Sequence, residues 1–560
     1  MVSRLVPMRA AIRASVLLSC LASGAPAHAQ QVDALRVDAV FSDIDAAGPG
    51  CAVGVSRAGV LAHANGYGMA NLDYGMPITP TSNFYLGSVG KQFTAAAIAH
   101  AARAGHLSLD DPIQKWLPGI PEYERPVTIR HLLHHTSGIR DYLGLLNLAG
   151  ERWEDIHTRE EILALISRQK HANFPAGDEY LYSNSGYFLL AEIVGKATGK
   201  SLRDYMDEHF LQPLGMRRSR FNDDRNEPMD ARVVGYERAG DGYEMSHPWN
   251  FDQVGSGGMY SSIEDLARWD RNWYTEEVGG PAFSEQLSER GVLTDGTEIP
   301  YAFGLAHGEY RGLGTISHGG ALAAFRSEVL RFPDEETTIL VACSFPTSNP
   351  AGRARQVADV VLASRLAPVA EEDEAGNAAG DPEPVDLTAE QLDAFTGHWR
   401  ASSGVQVEIV REGEELVFIQ SENRTTLLVA GEDHILLTAA NAEMRLSELI
   451  DGRFRSMAVE QNGNRFTAER YDPDAPGADY GDLFGDYYSE ELDITFTLFG
   501  EDGKLMMNAG PGREGEFRPV GEDRFVAPAF SFAVDREAGR VTGFTVDAGR
   551  VRGIFFQRVP

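Results

Sequence analysis

Cysteine is scarce in this chain: three residues in 560. Once an N-terminal leader is removed only Cys51 and Cys343 remain, which excludes more than one internal bridge. Positive charge is in deficit, with 50 Lys and Arg against 82 Asp and Glu and a formal net charge of −32. A surface that acidic repels phosphate backbones and anionic headgroups, so it argues against nucleic-acid and membrane-surface binding. Long apolar runs are also missing. Beyond the first thirty residues no stretch reaches the ~18 apolar residues of a membrane span. What is present is 43% hydrophobic residues over a length that suits two or three domains with real cores.

Residues 1–29 read as a signal peptide. Arg4, Arg9 and Arg13 form a basic start, Ala14 to Leu21 an apolar core, and Ala27-His28-Ala29 a small-residue cleavage site. Cleavage after Ala29 implies a periplasmic or secreted protein. Cys20 lies late in the apolar run, where Leu17-Leu18-Ser19-Cys20 loosely matches a lipid-attachment site, so a lipoprotein stays open. Cys51 and Cys343 both lie in apolar, strand-like runs. They can bridge or serve as small buried hydrophobes, and spacing does not decide between these.

Three blocks follow the leader. Residues 30–368 mix strand and helix patterns. A hairpin is expected around Ser56-Arg57-Ala58-Gly59, helices over Gln92–Gly105, Asp155–Lys170 and Tyr187–Gly199, and strands over Ser327–Phe332 and Thr337–Phe345. Early strands, a helical middle and late strands suggest one mixed sheet flanked by helices. Residues 369–386 form an acidic linker rich in Glu, Asp, Gly, Ala and Pro, without apolar periodicity. The rest is all-β and carries a diverged duplication. Phe395-Thr396-Gly397-His398-Trp399 opens residues 387–473, and Phe484-Gly485-Asp486-Tyr487-Tyr488 stands near the start of residues 479–560. Alternating apolar residues and a glycine turn follow each, as suits two small antiparallel β-barrels.

Ser88 and Lys91 stand three apart in Leu86-Gly87-Ser88-Val89-Gly90-Lys91, just ahead of the alanine-rich helix. Residues so spaced share a helix face. A serine hydroxyl is a weak nucleophile and needs an adjacent base, which a buried neutral lysine can be. Alone, this pair equally fits a helix cap beside a surface lysine. Further on, Tyr180-Leu181-Tyr182-Ser183-Asn184 offers a phenol as general base and an amide that can accept from Lys91 and donate to a substrate carbonyl. In Ser317-His318-Gly319-Gly320-Ala321, two glycines let a substrate lie along a strand without side-chain clash. His318 adds a polar or cationic group, and the Ala321 N–H is placed to complete an oxyanion hole with that of Ser88.

S-x-x-K, Y-x-N and H-x-G in this order resemble the penicillin-binding-protein and serine β-lactamase superfamily. Within it they resemble the β-lactamase-related branch of esterases, D-aminopeptidases and D,D-peptidases. Leu109-Asp110-Asp111-Pro112, the stretch Thr128 to Gly138, Pro213-Leu214-Gly215-Met216 and Gly257-Gly258-Met259-Tyr260-Ser261 add to the likeness, which covers roughly residues 40 to 365. Val89 to Thr94, Ser137 to Tyr142, His318 to Leu322 and Tyr488 to Asp493 are similar to the three-domain bacterial D-aminopeptidases.

The resemblance implies an α/β serine β-lactamase-like catalytic domain, an antiparallel sheet flanked by helices with a helical subdomain, followed by two small antiparallel β-barrels. It implies Ser88 as nucleophile with Lys91 and Tyr182 as bases. Asn184, His318, Gly320 and Ala321 would bind substrate. No metal and no organic cofactor are implied. The expected activity is hydrolysis of D-amino-acid peptides or amides through an acyl-enzyme. A carboxylesterase and a noncatalytic peptidoglycan-fragment binder are the alternatives. The partner is a small-molecule or peptide substrate, and assembly is open, a homodimer among the options.

Two departures matter. The lysine-threonine-glycine triad of penicillin-binding proteins is replaced by His318-Gly319-Gly320. In the D-aminopeptidases a loop of the last barrel reaches the site and helps select free amines. The comparable stretch here, Asn508 to Gly515, is glycine-rich and different in sequence. His131, His134 and His135 share a spacing that could gather a zinc ion, but no carboxylate or cysteine partner accompanies them.

Overall fold

The computed structural model describes residues 32–152, 155–246, 252–368, 385, 387–401, 405–420, 423–437, 442–461, 464–471, 480–510, 513–521, 523–527 and 530–560. The leader 1–29 with Cys20, and all of the linker 369–386 except Val385, lie outside them.

The first two strands, β1 (Cys51–Arg57) and β2 (Val60–Tyr67), make the expected hairpin. Ala58 and Gly59 join them with φ of 47° and 74°. Two positive φ values give the turn whose twist matches that of paired strands. After a long helical stretch come β3 (Ala306–Tyr310), β4 (Leu313–Leu322), β5 (Phe325–Phe332) and β6 (Thr337–Cys343). The sheet runs β3-β4-β5-β6-β1-β2 and every pairing is antiparallel. The mixed sheet suggested by the strand–helix pattern is therefore not formed. The helical middle joins the two outermost strands, so it never acts as a crossover between parallel neighbours.

Helices cover both faces, which is why β6 is buried at all seven positions and reads as an unbroken Thr-Thr-Ile-Leu-Val-Ala-Cys run. The helices used below are α1 (Ala34–Ala39), α2 (Lys91–Arg103), α3 (Tyr142–Ala149), α4 (Asn184–Thr198), α5 (Ile263–Thr275) and α6 (Pro350–Val361). On one face, Val37 of α1 and Val357 of α6 pack with Val53, Leu330 and Val341. On the other, Ile263 of α5 fills the space over Gly54. Alanines let α2 bury ten of its thirteen residues. Cys51 and Cys343 stand opposite each other on β1 and β6 and form a disulfide.

Two closed eight-stranded barrels follow. Their strands lie within Gly397–Tyr471 and Gly485–Arg558, and every pairing is antiparallel. The last hairpin, β7 (Arg540–Ala548) and β8 (Val551–Arg558), turns through Gly549-Arg550.

Candidate active site

Ser88 lies in a single 3-10 turn, Gly87–Gly90, that runs directly into α2. It is the one residue of that turn not buried. Lys91, one turn on, is wholly buried. Its Nζ is 3.1 Å from Ser88 Oγ, 2.8 Å from Asn184 Oδ1 and 2.6 Å from the carbonyl oxygen of Ser256. Burial holds the Lys91 amine well below its ordinary pKa. Asp141 pulls it back up, and Arg550 presses it further down. A neutral amine has two N–H groups and one lone pair. Asn184 and Ser256 accept the two hydrogens, so the lone pair is left facing the Ser88 hydroxyl.

Asn184 is fixed by Asp141. Asp141 Oδ2 accepts from the Asn184 backbone N–H at 2.6 Å and from its side-chain Nδ2 at 2.8 Å. A carboxylate only accepts, so the amide must turn its oxygen toward Lys91. The other Asp141 oxygen caps α3 through the N–H groups of Leu143 and Gly144.

The Tyr182 ring is half-buried, with Lys91 Nζ 4.9 Å from its centroid. Burial pushes its phenol pKa well up, and the Ser88 hydroxyl offsets part of this. His318 is buried and its pKa is pushed down to about 4, by burial first and by Lys91 second. Its Nδ1 meets the Gly319 carbonyl at 2.6 Å and its Nε2 the Tyr301 hydroxyl at 2.9 Å. Burial and Lys91 thus favour the neutral form of His318, one of the two characters expected.

Gly320 serves the protein's own packing. A Cβ there would stand 2.0 Å from the Leu86 carbonyl oxygen, and one on Gly87 would stand 2.7 Å from the Ala321 nitrogen. The two glycines let β4 close against the Ser88 turn. A Cβ on Gly319 would instead meet Glu328 Oε2 at 2.9 Å. Because β3 pairs with Leu313–Ser317, the edge of β4 from His318 to Leu322 has no strand partner on that side among the described residues.

The last barrel reaches this site; of the stretch Asn508–Gly515, Pro511 and Gly512 lie outside the described residues. Arg513, within Asn508–Gly515, donates to the Asn147 carbonyl at 3.2 Å and fills the space over Gly150, so it docks on the end of α3. The residue that reaches Tyr182 is Arg550, whose guanidinium lies 4.7 Å from the ring centroid.

The beta-lactamase family profile matches residues 37–363, more than half of the chain. The chain belongs to the beta-lactamase family. D-aminopeptidases from Cereibacter sphaeroides and Brucella anthropi are 28% and 27% identical, over 94% and 91% of this chain and 100% and 96% of theirs. Penicillin-binding protein 4* of Bacillus subtilis is 26% identical over 74% of this chain and 93% of its own length. Among solved structures, an octameric penicillin-binding protein homologue from Pyrococcus abyssi shares the fold. It has a TM-score of 0.55 and 22% identity, over 78% of this chain and all of that one. The D-amino acid amidase of Ochrobactrum anthropi SV3 reaches a TM-score of 0.51 at 21% identity, over 59% and 99%. Family and relatives together make the chain a serine hydrolase with the β-lactamase-like domain and two barrels expected of it.

In this beta-lactamase-family site, Ser88, Lys91 and Asn184 are joined by hydrogen bonds, and Tyr182 and His318 ring them. The three clustered histidines hold separate partners. His131 Nδ1 accepts from the Thr128 N–H, His134 Nε2 meets the Glu289 carbonyl, and His135 Nδ1 accepts from the Ser183 N–H. His135 sits 4.2 Å from the Tyr182 ring, centroid to centroid, and so supports the Y-x-N segment. Three contributors escaped the sequence reading as site residues: Asp141, the Ser256 carbonyl and Arg550. Asp141 had a readable signal, since an aspartate one residue before an apolar helix is a cap.

Proposed function

We propose that this chain is an exported serine peptidase or amidase that cleaves D-amino-acid peptides or amides through an acyl-enzyme. The observation that carries this reading is the wholly buried Lys91 Nζ within hydrogen-bond distance of Ser88 Oγ. Neutral Lys91, with Tyr182, takes the Ser88 proton as Oγ attacks the carbonyl carbon. The N–H groups of Ser88 and Ala321 bind the oxyanion, each donor worth about 3 kcal/mol of transition-state stabilisation. Tyr182 passes the proton to the leaving nitrogen, which departs as an amine. Water, activated by the same pair, then releases the acid and restores Ser88. Asn184 and Asp141 keep the Lys91 lone pair aimed, and His318 lines the pocket as a neutral group. The match to D-aminopeptidases along nearly the whole chain supports the substrate class. The Cys51–Cys343 bridge supports export, because such bonds persist in oxidising compartments.

Intact mass after exposure to a fluorophosphonate tests the chemistry. The wild-type protein should gain one adduct and Ser88→Ala none; an adduct on Ser88→Ala would defeat the assignment. D-alanine p-nitroanilide, p-nitrophenyl acetate and a chromogenic cephalosporin, run side by side, test the bond cleaved. Amide turnover is expected. Ester turnover alone would make the protein a carboxylesterase, and inertness to all three would favour a binding protein.

A further inference from the structure

Arg550 stands at the tip of the β7–β8 hairpin, and the backbone of that tip is clamped to the catalytic domain. The Arg550 carbonyl accepts from Asn173 Nδ2 at 3.0 Å, and the Arg552 N–H donates to Asn173 Oδ1 at 2.8 Å. Val551 lies against Gly144 of α3. So held, the Arg550 side chain lies over the Tyr182 ring, its guanidinium carbon 4.7 Å from the centroid. The guanidinium carries five N–H donors. Among the described residues the guanidinium has no hydrogen-bond or ion-pair partner, and the residue is exposed to solvent. Its neighbour Arg552 pairs with Glu179 at 3.0 Å. The acid beside the site, Asp141, is saturated by four N–H groups and has nothing left for a substrate ammonium.

We infer that Arg550 is a specificity-determining residue that anchors a carboxylate on the leaving-group side of the substrate. This rests on Tyr182 protonating the leaving nitrogen. In an α-amino-acid leaving group one carbon separates that nitrogen from the carboxylate, so the carboxylate falls beside the ring on which Arg550 lies. Arginine suits the task because its planar fork pairs with a carboxylate through two parallel hydrogen bonds. The preferred substrates are then peptides ending in a free D-amino acid, with the charge supplied by a turn of the second barrel.

Binding to the Ser88→Ala protein tests this without requiring turnover. The ligands are N-acetyl-D-alanyl-D-alanine and its C-terminal amide, measured by calorimetry. The acid should bind at least tenfold more tightly than the amide. Adding Arg550→Ala should abolish that preference by weakening the acid alone, and Arg550→Lys should keep part of it. Equal binding of acid and amide before Arg550 is changed would overturn the inference. So would a preference that survives Arg550→Ala, a parallel loss of both ligands, or no binding of either. Fluorophosphonate labelling of wild-type Ser88 reports separately on the acyl-enzyme reading, so the two can fail independently.

Discussion

The two C-terminal barrels are built alike and used differently. Gly397 and Gly485 share a φ of 140° and 139° at the start of each first strand. Trp399 and Tyr487, two residues later, are each fully buried and donate to the carbonyl four residues back, Phe395 at 3.0 Å and Leu483 at 2.7 Å. Arg470 and Arg558, from the last strand of each, reach the carbonyls before those glycines, and both fourth-to-fifth strand pairs carry a bulge, at Val429–Gly431 and Pro519–Gly521. Yet the first barrel packs a core of its own around Trp399, Ile409 and Leu416, while the second shares one continuous core with the catalytic domain. The duplicated scaffold carries no chemistry in itself; what differs is which turn meets a neighbour.

The strongest way to break that comparison is at Arg140. It is 1% exposed and joins the catalytic domain to the second barrel. It donates to Glu491 Oε1 at 2.7 Å, to the carbonyls of Arg552 and Gly553 at 2.9 Å each, and to Gln169 Oε1 at 3.0 Å. Arg140→Ala takes the cation from the buried Glu491 carboxylate, leaving the Lys170 N–H as a donor to it, and removes a donor from two carbonyls, a loss of about 3–5 kcal/mol. Asp141 is the next residue, so kcat/KM should drop a hundredfold or more for every substrate. Arg470→Ala removes three main-chain carbonyl contacts from the first barrel. It should lower the melting temperature of that barrel in a calorimetric scan and leave kcat/KM within about threefold. Equal losses of activity in the two variants would show that the first barrel also supports the site.

The same contrast explains what could be read from the sequence. Both barrels, the sheet strands β1, β2, β5 and β6 and the Ser88–Lys91 pair were legible because they rest on local rules: alternation, turn residues and a three-residue helical spacing. Tyr182 and Asn184 became legible through their order along the chain. The Ser256 carbonyl was not, since a main-chain acceptor has no residue identity to betray it. Arg550 was not, since nothing near it in sequence records that its hairpin docks on α3. The paired outcome for Cys51 and Cys343 likewise needed strand register, which spacing alone does not supply.

A smaller perturbation sharpens the comparison at the docking surface. Gly144 lies inside α3, where Gly→Ala ordinarily adds about 1 kcal/mol of helix stability. Here a Cβ would stand 2.7 Å from Val551 Cγ2. Gly144→Ala should therefore lift the Arg550 hairpin and lower kcat/KM roughly tenfold on a D-amino-acid peptide, while far-ultraviolet circular dichroism stays unchanged. Val551→Ala in the same chain makes room for the new methyl group and should restore most of the activity. Failure of that rescue would mean that the hairpin does not control the site through this contact.

The finest test compares the pH dependence that each region imposes. Lys91 works as a base only when neutral, so kcat/KM should rise with pH through the pKa of its amine. Burial depresses that pKa most, Asp141 raises it and Arg550 lowers it. The signs follow from charge: a nearby cation disfavours the ammonium form and a nearby anion favours it. Arg550→Ala should move the acid limb of the profile to higher pH, and Asp141→Asn should move it to lower pH. A small neutral ester such as p-nitrophenyl acetate is the right reporter, because it carries no carboxylate for Arg550 to hold. Arg400→Ala offers the matching change in the first barrel, where that arginine stacks on Tyr471 at 4.3 Å. It should leave the limb where it stands. A limb that shifts equally with Arg400 and Arg550 would place the control of Lys91 in the overall charge of the chain. A shift confined to Arg550 places it in one side chain, carried by a turn of the second barrel.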